Sequence, residues 1–255
     1  MSYKVSDLSN YLEKLFPLEN AMEYDNPGLL AGSSDSELKG VQLTLDCTSD
    51  AVKTAIKNGA NIIIAHHPLI FGGIDNVSSD NATGAILTAL IKNDIALYAC
   101  HTQLDCTDEF GNLEIAKRLG GEDAYKLREA TIGVCFDVEK TTVKEFSKKI
   151  IEGLDCSGTI TISSPDTEVN KAFCQGGSFD EDNIEAIKNS GADLVVTGEM
   201  KHHHMVLLNE LGIAVLICGH NASERVYLPR LKTVLEEQFP DLPIFVDFGN
   251  ETTLL

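Results

Sequence analysis

Ile62-Ile63-Ile64-Ala65-His66-His67-Pro68 decides the fold of this chain: four apolar residues in succession, then two imidazoles, then a helix breaker. An apolar run this short that ends at a proline reads as a buried strand, too brief for a helix. It delivers both histidines to its carboxyl end, where open α/β sheets place their chemistry. Neighbouring strand residues point to opposite faces, so the two rings serve one site only if the chain leaves the strand here. Pro68 biases His67 toward such an extended exit. A metal site is the first expectation.

The other histidines follow the same rule. All seven fall in four short segments: His66-His67, His101, His202-His203-His204 and His220. Three segments sit at or just beyond an apolar run, namely Ile62 to Ala65, Ile95 to Cys100 and Ile213 to Cys218. The fourth follows Leu194 to Val196 after the Thr197-Gly198-Glu199 turn. A lone half-buried imidazole is more often satisfied by a carbonyl than used as a ligand, but seven at one topological position call for another explanation.

An internal repeat sets the architecture. Ala55-Ile56-Lys57-Asn58-Gly59-Ala60-Asn61 followed by Ile62 to Ala65 matches Ala186-Ile187-Lys188-Asn189-Ser190-Gly191-Ala192-Asp193 followed by Leu194 to Thr197. Asp94 to Cys100 likewise matches Gly212 to Cys218. Each half reads as helix, glycine turn, buried strand, helix, turn and buried strand. That alternation predicts two similar α/β domains, each a mainly parallel sheet flanked by helices. Gly120-Gly121 ends a helix running from about Asn112 to Leu119 and places the boundary near residue 126, giving domains 1–126 and 127–255. The second would open with a strand over Thr131 to Val138 and a helix over Thr142 to Ile151. The last strand, 244–248, could join either sheet.

Composition narrows the function classes. The 255 residues, 43% of them hydrophobic, supply enough apolar material for two cores. Thirty-nine acidic against twenty basic residues give a formal charge of −19, which repels phosphate backbones and disfavours nucleic-acid binding. No apolar stretch approaches the roughly 18 residues of a membrane span, and Met1 to Asn10 lacks a signal-peptide pattern, so a cytoplasmic protein is expected. Seven cysteines without a C-x-x-C pair do not form a disulfide framework or a ready thiolate site. Cys47, Cys100, Cys106 and Cys218 lie near the histidine segments, and buried core thiols explain them better than ligands.

Two further pairs complete the candidate site. Asp105 stands four residues past His101 in what reads as a loop leaving the sheet. Glu224 stands four past His220, which on a helix puts both side chains on one face. His66, His67, His220, Asp105 and Glu224 thus make three imidazoles and two carboxylates, enough for two divalent metal ions. Such donors suit zinc, iron, manganese, cobalt or nickel better than magnesium or calcium. A dinuclear centre of this kind activates water for hydrolysis at neutral pH.

These segments resemble a known family. His66-His67-Pro68-Leu69 with Phe71, His101-Thr102-x-Leu104-Asp105 and Gly219-His220-x-x-Ser223-Glu224 look like the Nif-three-like family, also called GTP cyclohydrolase 1 type 2. Asp25-Asn26-x-Gly28-Leu29, Leu45-Asp46-x-Thr48 and Thr197-Gly198-Glu199 extend the likeness. The resemblance implies two similar α/β domains, a dinuclear metal site between them with ligands at His66, His67, Asp105, His220 and Glu224, and a homohexameric ring. Long members carry an inserted domain that this chain is too short to hold. Tyr24 stands where tryptophan is usual, and the His202 to His204 run is richer than the family pattern.

The function expected is therefore a dinuclear-metal-dependent hydrolase acting on a small nucleotide-like substrate, of the GTP cyclohydrolase ring-opening type. His101, Glu199 and His203 are the candidates for proton transfer. The rival reading is a non-catalytic metal carrier or a protein-interaction scaffold, since fold and ligands alone do not fix a substrate.

Overall fold

The computed structural model describes residues 2–249. In chain order the elements are α1 (Val5–Leu15), β1 (Gly28–Ala31), β2 (Val41–Asp46), α2 (Ser49–Asn58), β3 (Ile62–His67), α3 (Ala82–Lys92), β4 (Ala96–Ala99), α4 (Thr102–Asp105) and α5 (Asn112–Arg118). They continue with β5 (Tyr125–Lys126), β6 (Val134–Thr142), α6 (Val143–Leu154), β7 (Glu168–Ser178), α7 (Ile184–Ser190), β8 (Leu194–Glu199), α8 (His202–Glu210), β9 (Ala214–Ile217), α9 (His220–Glu224), α10 (Tyr227–Gln238) and β10 (Ile244–Asp247).

Two five-stranded sheets organise the chain, one in each of two compact units. The first unit holds residues 2–107 and 228–249, and its sheet runs β1-β4-β3-β2-β10. Only β1 is antiparallel to its neighbour there; β2, β3, β4 and β10 are parallel, with Val41 opposite Ile62 and Ile62 opposite Ala96. The second unit holds residues 108–227, with the order β5-β6-β7-β8-β9. Its parallel part is the trio β7, β8 and β9, while β5 and β6 pair antiparallel.

The continuous apolar runs mark strands covered on both faces. Every residue of β4 is buried, as are the first five of β2, β3 and β8. In the first unit Ile63, Ala65 and Leu97 pack against Val52 and Ala55 of α2 and Leu87 and Leu90 of α3. In the second, Phe173, Val195 and Val215 meet Ile187 of α7 and Met205 and Leu208 of α8. Tyr3 and Tyr11 close the first unit by edge contacts with Phe239, at ring separations of 5.0 and 5.6 Å. Among the described residues no helix is long and apolar enough to cross a membrane.

Three features depart from the boundaries read in the sequence. Helix α5 lies before the expected boundary at 126 yet belongs to the second unit, because its buried Ile115 and Ala116 pack it on β6 and β7. The chain then returns: β10 pairs in parallel with β2, which assigns the last strand to the first sheet. The segment after His101 is not a loop but the single helical turn α4.

The repeat is visible in the helix ends. Gly59 after α2 and Gly191 after α7 both adopt left-handed backbone, with φ of 72° and 75°, and each donates its N–H back into its helix. A Cβ at either position meets open space, so substitution costs only the backbone strain. Gly59→Ala and Gly191→Ala should each destabilise the protein by about 1 kcal/mol. Urea denaturation checks this, and a cost several times larger at either site would show that the two caps are not equivalent.

Candidate functional site

The donor side chains of the first unit gather where β2, β3 and β4 end. His66 is buried, and its Nδ1 lies 2.8 Å from the Cys100 carbonyl. A carbonyl only accepts, so Nδ1 carries the proton and Nε2 is left as the basic nitrogen. That nitrogen faces Asp105, whose Oδ2 is 3.5 Å away at the end of α4. His67 repeats the arrangement with a carboxylate: its Nδ1 is 2.9 Å from Asp46 Oδ1, the two residues being register partners across β2 and β3.

His101 is the third ring of this cluster. Its Nδ1 is 2.9 Å from Asp25 Oδ1, and Thr102 holds the other carboxylate oxygen through both its backbone N–H and its hydroxyl. Burial acts to raise the Asp25 carboxyl, but hydrogen bonds from His101 and Thr102 outweigh it and hold it at about 2. Asn26 extends the anchorage by donating from its side chain to the Ile70 carbonyl at 2.7 Å. The rings of His66, His67 and His101 sit 5.0 to 5.6 Å apart, and one nitrogen from each comes within 4.8 Å of the others. Each ring therefore has one nitrogen oriented by an oxygen, the arrangement that prepares histidines for metal.

In the second unit α9 carries the matching pair. His220 Nδ1 lies 3.0 Å from Glu199 Oε1 at the end of β8, and His220 Nε2 lies 3.1 Å from Glu224 Oε2 one turn along the helix. Glu224 is buried although it is a carboxylate. The room for it comes from Gly177 on β7, which the sequence reading passed over, and Gly198 on β8, which it named within Thr197-Gly198-Glu199. A Cβ on Gly177 would stand 2.2 Å from Glu224 Oε1 and 3.2 Å from His220 Nε2, and the φ of +64° there also requires glycine. A Cβ on Gly198 would stand 2.6 Å from both the Gly177 carbonyl and Ser223 Oγ. Ser223 pins α9 to this floor, accepting from the Gly177 N–H at 2.9 Å and donating to the His220 carbonyl at 2.7 Å.

The proton-transfer candidates are thereby sorted. His101 joins His66 and His67, and Glu199 acts on His220 by orienting it. His203 stands with His204 and Glu181, whose ligand atoms lie within 4.8 Å of one another. His202 is exposed at the start of α8. Three of the cysteines near these segments, Cys47, Cys100 and Cys218, are buried, and Cys106 is half-buried; burial, aided by Asp46, pushes the Cys47 thiol up to about 12, and burial does the same for Cys218. Asp25 and Asp46 stand in segments already named, but their role as anchors was not read from them, because they meet their histidines 76 and 21 residues away in sequence.

Asp25→Asn should destabilise the fold by about 1–3 kcal/mol at neutral pH, since it weakens the acceptor shared by His101 and Thr102. The folded carboxyl titrates below its usual value of 3.8, so its contribution is fully present above pH ~4 and is lost as pH falls toward 2. Urea midpoints of wild type and variant should accordingly converge over that interval. A gap that stays constant down to pH 2.5 would rule out the ionised carboxylate as its source.

Solved structures share this fold along the whole chain. A Staphylococcus aureus hypothetical protein superposes with a TM-score of 0.92 at 26% identity, covering 99% of both chains. Reduced HcgD from Methanocaldococcus jannaschii gives 0.83 at 27% identity, over 96% of this chain and 98% of that one. Two curated relatives, both named GTP cyclohydrolase 1 type 2 homolog, come from Clostridium acetobutylicum and Clostridium perfringens. The first is 29% identical over 98% of this chain and 97% of its own length, the second 30% over 92% of each. The family model for Duf34/NIF3 (NGG1p interacting factor 3) matches residues 3–252, and this chain belongs to that family.

Proposed function

We propose that the donors of each unit, His66, His67 and Asp105 in the first and His220 and Glu224 in the second, bind divalent transition-metal ions, two per chain, and that the protein is a hydrolase of a small nucleotide-like substrate. One observation carries the reading. At His66, His67 and His220 alike an oxygen engages Nδ1, which presets the same tautomer on ligands from both halves of the chain. Imidazole and carboxylate donors of this kind fit zinc, iron, manganese, cobalt or nickel, and no thiolate is needed. Bound there, two such ions would polarise the substrate and lower the pKa of water.

The chain's own groups have separate tasks in this reading. Asp46 and Glu199 orient His67 and His220. His101, held by Asp25, moves a proton at its Nε2. Tyr24 and Phe71 are 63% and 54% exposed, with ring centroids 6.1 Å apart, and Phe71 stands 6.4 Å from the His101 ring. They offer flat faces on which a planar heterocycle can stack. The name carried by the relatives points to a purine nucleotide, and the reaction would be the water-consuming opening of the guanine imidazole ring. Assembly as a hexameric ring belongs to the same proposal, and the exposed Val206, Leu207 and Leu211 give such an assembly apolar surface to bury.

Metal per chain, counted in untagged protein purified without chelator, tests the centre. At least two ions are expected in wild type, and Asp105→Ala should lose one or more. Full occupancy in that variant would sink the assignment. Metal that dialyses away, with no nucleotide turned over, would replace the hydrolase by a carrier or scaffold. Phe71→Ala should raise KM for the nucleotide roughly three- to tenfold with kcat little changed, as expected from losing one stacking contact. An unchanged KM would remove the aromatic pair from substrate binding.

A further inference from the structure

The second unit carries a donor cluster that shares no residue with the proposed dinuclear centre. Glu181 begins the 3-10 turn Glu181–Asn183 that follows β7, and His203 and His204 lie in the first turn of α8. His204 is buried, with Nε2 2.8 Å from Glu181 Oε2, and its ring lies 4.0 Å from that of His203. Phe179 packs beside it at 6.3 Å. One ligand atom from each of the three residues comes within 4.8 Å of the others.

The geometry points to a second, mononuclear site for a divalent transition metal, held by Glu181, His203 and His204. Two imidazoles and one carboxylate favour zinc, copper, nickel or cobalt over magnesium or calcium. His204 is the fixed member because it is buried against Phe179. Glu181 and His203 are exposed, so their side chains can rotate to bring all three donors to the about 3.4 Å edge of a tetrahedral zinc site, from an arrangement in which His204 Nε2 and Glu181 Oε2 are 2.8 Å apart. On binding, the ion takes the place between His204 Nε2 and Glu181 Oε2, and the imidazole keeps its one proton on Nδ1. Three protein donors leave at least one position for water, so the ion exchanges readily.

The competitor already in place is a lysine. Lys201 Nζ lies 3.6 Å from Glu181 Oε2, an exposed ion pair worth little in water. The metal outbids it by bringing two imidazoles to the same carboxylate. A bound ion would tie the turn after β7 to the start of α8 more firmly, adding the exposed His203 to a link that now runs from the buried His204 to Glu181.

The test is a zinc titration of the full chain after chelator treatment, read by equilibrium dialysis and by thermal melting. Glu181→Gln with His203→Asn leaves the buried His204 in place, so folding should be retained, and circular dichroism checks it. This double variant should bind one zinc ion fewer per chain than wild type. It should also lose part of the zinc-dependent rise in Tm. Lys201→Met should tighten the same binding step roughly two- to fivefold by removing the competing cation. Asp105→Ala should keep this step intact, so failure of the dinuclear assignment and failure of this one give different results. The proposal is overturned if the double variant binds as many zinc ions as wild type with unchanged affinity.

Discussion

Everything at the first cluster depends on the hydrogen bond from His66 Nδ1–H to the Cys100 carbonyl. That bond extends the sheet. Ala65 and Ala99 are opposite one another in the parallel ladder, and the Cys100 N–H still donates to the Ala65 carbonyl at 2.8 Å. One residue further on there is no strand partner, and the imidazole of His66 takes the Cys100 carbonyl instead. A one-residue slip between β3 and β4 would present the other ring to that carbonyl, because strand side chains alternate faces. The register, set by buried isoleucines far from the chemistry, therefore selects the tautomer of the ligand.

The two halves use this logic with the roles exchanged. In the first, β2 supplies the carboxylate Asp46 and β3 the imidazole His67, at paired positions. In the second, the repeat places Glu199 where His67 stands, and the imidazole it orients comes from α9. A helix can approach the strand ends so closely only over glycine, which explains Gly177 and Gly198 beneath His220, Ser223 and Glu224. The duplication preserved the scaffold and the carboxyl-edge placement, while the identity of each donor drifted.

This history also explains what was readable in advance. Buried strands, capping glycines and the i, i+4 pairing of His220 with Glu224 are local signals, carried by periodicity and short spacing, and β3, β4, β8, β9 and α9 emerge from them directly. The membership of α5 and β10 was not local: Ile115 and Ala116 choose their sheet by packing, and β10 finds β2 from some two hundred residues away. The Asp25 anchor and the Glu181 contact to His204 fall in the same class. Carboxylates are abundant in a chain with a formal charge of −19, so spacing singles out those close to a histidine in sequence, Asp105 and Glu224, and not one such as Glu181 that meets its imidazole across the fold.

Burial separates those few by what they do. The Asp25 side chain is fully covered, whereas those of Asp46 and Glu199 are more than half exposed. An exposed carboxylate contributes little to folding because water competes for it, so Asp46 and Glu199 serve chiefly to fix ring orientation. Asp25 cannot be supported by water and must be satisfied by His101 and Thr102, which makes it part of the fold as well as of the site. The first cluster is thus built in two layers. One layer is inseparable from the first unit, and the other can change ligand geometry at little cost to the sheet beneath it.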